Sequence, residues 1–549
     1  MADILALKKF EALSPFEIKD ELISLAKKTS RTTQSAFLNA GRGNPNWIAT
    51  TPREGFFLLG QFAISESKRV MDLPAGVGGM PQANGIASRF ESWLAKHSDM
   101  PGASFLVEMV TFATKTFKFE ADAFVHELVD SIIGDNYPVP DRMLVHNERI
   151  AHEYLMWAMC GNPRPAGKFD LYAVEGGTAA MCYIFKSLKA NRLLRPGDTI
   201  ALGTPIFTPY IEMTHLEDYA LNVVNIQAPQ ENRFQFTDAE LQKLEDPKIK
   251  AFFVVNPGNP TGVALSAETI GKIANLVKTK RPDLMLLTDD VYGTFVPDFR
   301  SLLGELPHNT IGVYSYSKYF GATGWRLGVI AVHEDNLFDR MIAKLPDAEL
   351  KALDKRYGAL TLEPRKVKFI DRIVADSRDV ALNHTAGLAL PQQVMMSLFS
   401  LAELMDGAKL YQKACMAIVK RRVEAIVEGL ELQLSPNPLY DGYYGLIDFE
   451  FFARKNIGQD AVDYLKKNVH PLDLAFRLAE DHGIVLLNGG GFDAPDWSLR
   501  VSLANLSDDV YEEIGRGVRS IARGYRQAFE ASKRALEQTD RQRATSGSR

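Results

Sequence analysis

Between residues 169 and 332 seven short apolar runs recur: "FDLYAV" (169–174), "DTIALG" (198–203), "NVVNI" (222–226), "KAFFVV" (250–255), "LMLLT" (284–288), "IGVYSYS" (311–317) and "LGVIAV" (327–332). Most are nearly continuous in apolar residues rather than alternating, the pattern of a strand covered on both faces. Stretches that read as helices separate several of them, as at 178–194 and 266–280. This alternation predicts an α/β fold built on a mainly parallel sheet. Open sheets of that kind bind ligands beyond the carboxyl ends of their strands, so the residues just after each run are the candidates for chemistry.

The chain has 549 residues, more than one core usually holds, so more than one domain is expected. Residues 1–50 read as a helix and an extended arm ending in "NAGRGNPNW", and 51–155 as the N-terminal part of a smaller domain with a helical insertion. Residues 156–380 form the expected large domain, with a charged helical insertion at 334–380, and 381–536 the C-terminal, α+β part of the smaller domain. The last stretch, 537–549, "EQTDRQRATSGSR", has almost no apolar residues and is expected to be disordered. A net charge of −5 marks neither a nucleic-acid binder nor a basic membrane surface. The three cysteines, Cys160, Cys182 and Cys415, form no CxxC pair, which fits a reducing cytoplasm. The N-terminus carries no apolar stretch long enough for a signal or a membrane span. A cytoplasmic protein without metal, membrane or nucleic-acid partners is expected.

Four motifs follow strands in order. "SYSKYFGATGWRLG" (315–328) sets two alternate serines, a lysine and, eight residues on, an arginine after an apolar strand. Most lysines are solvated charges, but burial disfavours an ammonium and makes an amine a usable nucleophile, and the neighbours suit an anion. "VEGGTAAM" opens a helix after a strand, so Gly176, Gly177 and Thr178 offer free N–H groups and a hydroxyl. Alone it reads more readily as a plain glycine turn with Thr178 near the helix start. "NPGNPTG" (256–262) alone is a rigid turn, and the adjacent Asp289 and Asp290 of "TDDVYGTF" alone are a solvated turn or helix cap. The order of all four is what points to a site.

This constellation resembles the fold-type-I, aspartate-aminotransferase-like enzymes that use pyridoxal 5′-phosphate. The resemblance implies a seven-stranded large domain and a smaller α+β domain formed by both ends of the chain. It makes Lys318 the catalytic residue that holds the cofactor as a Schiff base, and Asp289 the partner of the ring nitrogen. Tyr292 and Asn259 would bond the ring's phenolic oxygen, and Phe207 in "TPIFTPY" would stack on the ring. Gly177, Thr178, Ser315 and Arg326 would hold the phosphate, the arginine as a fork. Arg500 in "WSLRVSLANL" would grip the substrate α-carboxylate; without the resemblance "LRVSLA" reads as a core strand with one snorkelling arginine. Asn259 and Arg42 in the arm are further substrate-contact candidates, though a structural arginine explains Arg42 nearly as well.

Four segments, "GRGNPNW", "GGMPQANGIASRFESWL" (78–94), "NHTAGLALPQQ" (383–393) and "NGGGFDAPDWSLRVSLANL" (488–506), extend the likeness over the whole chain to the bacterial aspartate 4-decarboxylases. That likeness implies conversion of L-aspartate to L-alanine and CO2 with minor transamination, reactivation by a keto acid such as pyruvate, and a homo-oligomer of dimers up to a dodecamer. The alternatives are an aspartate or other amino-acid aminotransferase, a different lyase on the same scaffold, or a cofactor-sensing regulator, for which no basic helix-turn-helix segment is present. Two departures from the aminotransferase pattern stand out. Met80 replaces a tyrosine that reaches the neighbouring subunit's phosphate, and "VALNH" (380–384) lacks the arginine that clamps a distal carboxylate, Arg378 being the nearest.

Overall fold

The structure is a computed structural model that describes residues 7–11, 13–33, 36–378, 387–433 and 435–546. The seven apolar runs form one sheet: β1 (Phe169–Val174), β2 (Thr199–Thr204), β3 (Asn222–Gln227), β4 (Ile249–Val255), β5 (Met285–Asp289), β6 (Thr310–Ser315) and β7 (Gly328–His333). Their spatial order is β1-β7-β6-β5-β4-β2-β3. All neighbours run parallel except β7, which is antiparallel to both β1 and β6. The central strands are buried throughout, as their unbroken apolar character requires. The helices Gly177–Ala190 and Phe369–Arg378 pack in one core against the sheet, and Ala267–Thr279 packs in another. Register places Asp289, the last residue of β5, opposite Val255 of β4 and Val313 of β6, so the ends of three strands open onto the same space.

The smaller domain joins both ends of the chain. Helix Pro15–Thr33 shares a core with the helices of 449–482 and the inner face of Tyr511–Ser546. Its sheet has three antiparallel strands, β8 (Tyr444–Asp448), β9 (Leu487–Asn488) and β10 (Ser498–Ser502), in the order β8-β10-β9. Leu38–Asn39 pairs in parallel with Ile484–Val485 and so pins the start of the arm.

Two features depart from the sequence reading. Within 51–155, the helices Thr50–Val70, Ile86–Lys96, Ala103–Thr116 and Ala121–Ile133 do not join the smaller domain's core. They build a core of their own with Leu390–Met405. An amphipathic helix reveals that it has a buried face but not which partner buries it. Residues 537–546, expected to be disordered, continue the helix Tyr511–Ser546. Its first turns are packed, and ion pairs four residues apart, Arg526–Glu530 at 2.7 Å and Arg534–Glu530 at 3.9 Å, extend it into solvent. Among the described residues no helix is long and apolar enough to cross a membrane.

Candidate active site

A cavity of about 340 Å³ lies at the carboxyl ends of β1, β2, β4, β5 and β6, closed on its far side by β8, β10 and the arm. Lys318 follows β6 and is half-buried. Its Nζ donates to the Gly43 carbonyl of the arm at 2.9 Å, and Tyr443 Oη donates to the same oxygen at 2.8 Å. A Cβ on Gly43 would stand 2.6 Å from Tyr444 Oη and 3.1 Å from Lys318 Nζ, so a larger residue here would displace those two groups.

The two adjacent aspartates have different surroundings. Asp290 accepts from Thr288 Oγ1 at 2.6 Å and from Ser301 Oγ, does not line the cavity, and burial pushes its carboxyl up to about 8. It is a structural group. Asp289 lines the cavity; its Oδ2 accepts from Tyr210 Oη at 3.2 Å, while its buried Oδ1 has no partner. Burial raises this carboxyl to about 6, against the opposing pull of the Tyr210 bond, the Val291 N–H and the Lys318 charge. A buried carboxyl with one oxygen left over calls for an N–H donor, preferably a cationic one. The protonated ring nitrogen of pyridoxal 5′-phosphate would meet that need.

At the other end of the cavity the helix Gly177–Ala190 begins, with its free N–H groups and positive dipole end beside Thr178, Ser315, Ser317 and Arg326. Ser315 Oγ donates to Leu327 O at 3.1 Å and lies 2.9 Å from Ser317 Oγ. Arg326 has a left-handed backbone, φ +56°, a conformation that costs about 1 kcal/mol or more outside glycine. Its Nη2 donates to Glu175 O at 3.2 Å, and a Cβ on Gly176, φ +91°, would approach that nitrogen to 2.5 Å. The cradle of helix end, hydroxyls and guanidinium suits a phosphate dianion. The residues present therefore fit the cofactor at both of its poles.

Arg500 lies at the centre of β10, paired with Leu446 and Leu487, and is 1% exposed. Nη1 donates to Asn259 Oδ1 at 3.3 Å and Nη2 to Gly41 O at 2.9 Å, but Nε has no partner. The guanidinium lies over Tyr444 (4.4 Å), Phe492 (5.1 Å) and Phe16 (5.6 Å). Among the described residues no carboxylate pairs with it. A buried cation without an anion is costly, and a substrate carboxylate would remove that cost.

The cavity thus gathers Gly177, Thr178, Phe207, Asn259, Asp289, Tyr292, Ser315, Lys318, Arg326 and Arg500 from the sequence reading. Arg42 is not among the lining residues; its side chain is exposed between the two glycines whose carbonyls take Arg500 and Lys318. Met80 is exposed, and Arg378 lies 3.6 Å from Glu175. "VALNH" and the first part of "NHTAGLALPQQ", through residue 386, fall outside the described residues. Sequence reasoning missed Phe16, Tyr210 and Tyr444. Tyr210 had a readable signal, one helical turn after Phe207. Tyr444 had none locally, because the pairing of β8 with β10 puts it beside Arg500.

The chain resembles known proteins in sequence and in fold. The model of the family "aminotransferase class I and II" matches residues 176–517. The chain is 48% identical, over 93% of its length and 96% of the relative's, to a bifunctional aspartate aminotransferase and L-aspartate beta-decarboxylase from Pseudomonas sp.. Its fold is similar to that of an aspartate aminotransferase from Thermus thermophilus with maleate, with TM-score 0.54 and 16% identity over 95% of this chain and 99% of that one. It is equally similar to N-succinyldiaminopimelate aminotransferase from Mycobacterium tuberculosis, with TM-score 0.54 and 18% identity over 95% and 99%.

Proposed function

Because the chain belongs to the class I and II aminotransferase family, we propose that it binds pyridoxal 5′-phosphate and removes the β-carboxyl group of L-aspartate, giving L-alanine and CO2, with amino transfer as a side reaction. Bound in the cavity, the cofactor supplies an electron sink conjugated to the substrate's amino nitrogen. Asp289 Oδ1 keeps the ring nitrogen protonated, and Tyr210 orients that carboxylate. Of the residues lining the cavity, Asn259 and Tyr292 would bond the phenolic oxygen, Phe207 would stack on the ring, and Gly177, Thr178, Ser315 and Arg326 would hold the phosphate. Arg500 takes the α-carboxylate on Nε and Nη. Lys318 Nζ anchors the cofactor and, once freed, takes and returns the proton at Cα.

One observation favours decarboxylation over simple transfer. Among the described lining residues the cations are Lys318, Arg326 and Arg500, and each has a partner in this scheme. None is left for the second carboxylate. Losing CO2 turns a localised anion into a neutral molecule, so a cation clamped on that carboxylate would stabilise the reactant and raise the barrier. The carboxylate leaves as CO2, its bonding electron pair stays at Cβ, and a proton completes the methyl group. Amino transfer would instead give oxaloacetate, and a keto acid such as pyruvate would be needed as acceptor before the next turnover.

Purified protein supplied with the cofactor and L-aspartate tests the proposal. Alanine and CO2 in equal amounts, with oxaloacetate as a minor product, are expected. Oxaloacetate without CO2 would overturn it in favour of an aminotransferase. Arg500→Lys is expected to raise KM for aspartate about 10- to 100-fold, because an ammonium cannot replace the guanidinium's fork and such a pair is worth roughly 1.5–3 kcal/mol. An unchanged KM in steady-state kinetics would make Arg500 a core residue instead.

A cytoplasmic setting belongs to the same proposal. The three cysteines are free, and burial pushes the Cys160 and Cys415 thiols up to about 12. Assembly from dimers toward a dodecamer belongs to it as well. The hairpin Asp72–Leu73 and Val77–Gly78 and its flanks expose Met71, Leu73, Val77 and Met80 together, a patch that subunit contact would cover.

A further inference from the structure

The proposed reaction needs an acid at Cβ, and the scheme above assigns none. When the Cβ–carboxyl bond breaks, the electron pair left on Cβ must capture a proton to yield alanine. The other protic groups lining the cavity have other tasks: Tyr210 donates to Asp289, Tyr292 would serve the ring oxygen, and Thr178, Ser315, Ser317 and Thr323, whose carbonyl accepts from Arg326, lie at the phosphate end. Lys318 serves Cα. Tyr444 remains.

Three observations place its hydroxyl. Tyr444 pairs with Ser502 on β10 and stands two residues from Leu446, the partner of Arg500, so its ring lies diagonally beside the Arg500 side chain. The guanidinium carbon is 4.4 Å from the ring centroid. At the other end of the ring, Oη and Lys318 Nζ converge on one face of Gly43. The phenol thus spans from the group that holds the α-carboxylate to the group that serves Cα, where the next carbon of the substrate chain must lie. We propose that the Tyr444 hydroxyl is the acid that delivers the proton to Cβ as CO2 departs; this rests on the decarboxylase reading above.

The electrostatics support the assignment. Burial pushes this phenol up, and Asp441 adds to that, but Lys318, then Arg500, and the hydrogen-bond contact with Tyr292 outweigh both. Tyr444 sits below the ordinary tyrosine value as a result. Its neighbours Tyr292 and Tyr443 are pushed well above that value, first by burial. The same cations stabilise the phenolate left after the proton has gone.

Tyr444→Phe keeps the ring under Arg500 and removes only the hydroxyl. Alanine formation is expected to slow about 100-fold, the usual scale for losing a general acid. Bond cleavage does not need that proton, so rapid-quench experiments on the variant should show about one equivalent of CO2 per site released ahead of alanine. The parent should release the two together. An independent readout needs no turnover: ultraviolet difference titration of the apoprotein should lose one phenol that ionises below the ordinary tyrosine value. Unaltered alanine formation, CO2 and alanine slowed in step, or an apoprotein titration identical to the parent's would each overturn the proposal. A parent protein that releases no CO2 from aspartate would instead overturn the decarboxylase reading itself.

Discussion

Lys318→Ala is expected to fold, to bind the cofactor without the absorbance of its covalent adduct, and to lose turnover by about 10⁴-fold, the upper range for removing a catalytic acid–base group. Folding should survive because the half-buried amine makes one hydrogen bond, to Gly43 O, worth about 1 kcal/mol. Its position is set by β6, whose buried residues fix the strand, and by Ser315 and Ser317, whose hydroxyls bond within the turn that carries the lysine. Absorbance spectra and product assays on the purified variant check this. Near-normal turnover would remove Lys318 from the mechanism and the functional reading with it.

Asp289→Asn is expected to act in opposite directions on activity and stability. The amide cannot keep the ring nitrogen charged, and losing one such preorganised electrostatic partner lowers turnover about 100- to 1,000-fold. The apoprotein should nevertheless become more stable at neutral pH. The Asp289 carboxyl is raised to about 6 by burial, so the folded state binds its proton more tightly than the unfolded chain does. Stability from that proton is fully present below pH 4 and is lost as pH rises through 6. The loss is worth about 3 kcal/mol by pH 8. Asparagine has no such dependence. Thermal melts of the two apoproteins should therefore show a gap in favour of the variant that widens from pH 4 to pH 6 and levels off by about pH 7. A gap that stays constant with pH would mean that Asp289 is not held at a raised value.

The large sheet and the cofactor face of the site were legible in the sequence for one reason: both are local. A buried strand announces itself by an unbroken apolar run, and Lys318, Asp289, Asn259 and Gly177 each follow such a run within a few residues. The smaller domain's contribution was legible only where a resemblance carried it, as for Arg500. Tyr444 shows why. Its place is decided by an antiparallel register between segments some 55 residues apart and by the arm that lays Gly43 against it, and neither leaves a periodic trace. The helices of 51–155 were recognisable as helices, but their partner, Leu390–Met405, lies hundreds of residues away. The polar end of Tyr511–Ser546 read as disorder because composition alone does not register the packed turns that precede it.

A structure of the holoenzyme with an unreactive dicarboxylate, such as maleate, tests most directly why this site would break a carbon–carbon bond. One carboxylate should lie on the Arg500 guanidinium, with Nε now paired. The second should lie near Tyr444 with no ammonium or guanidinium within about 4 Å, the usual ion-pair distance. An arginine clamped on that second carboxylate would contradict the proposed basis of decarboxylation and describe a dicarboxylate aminotransferase instead.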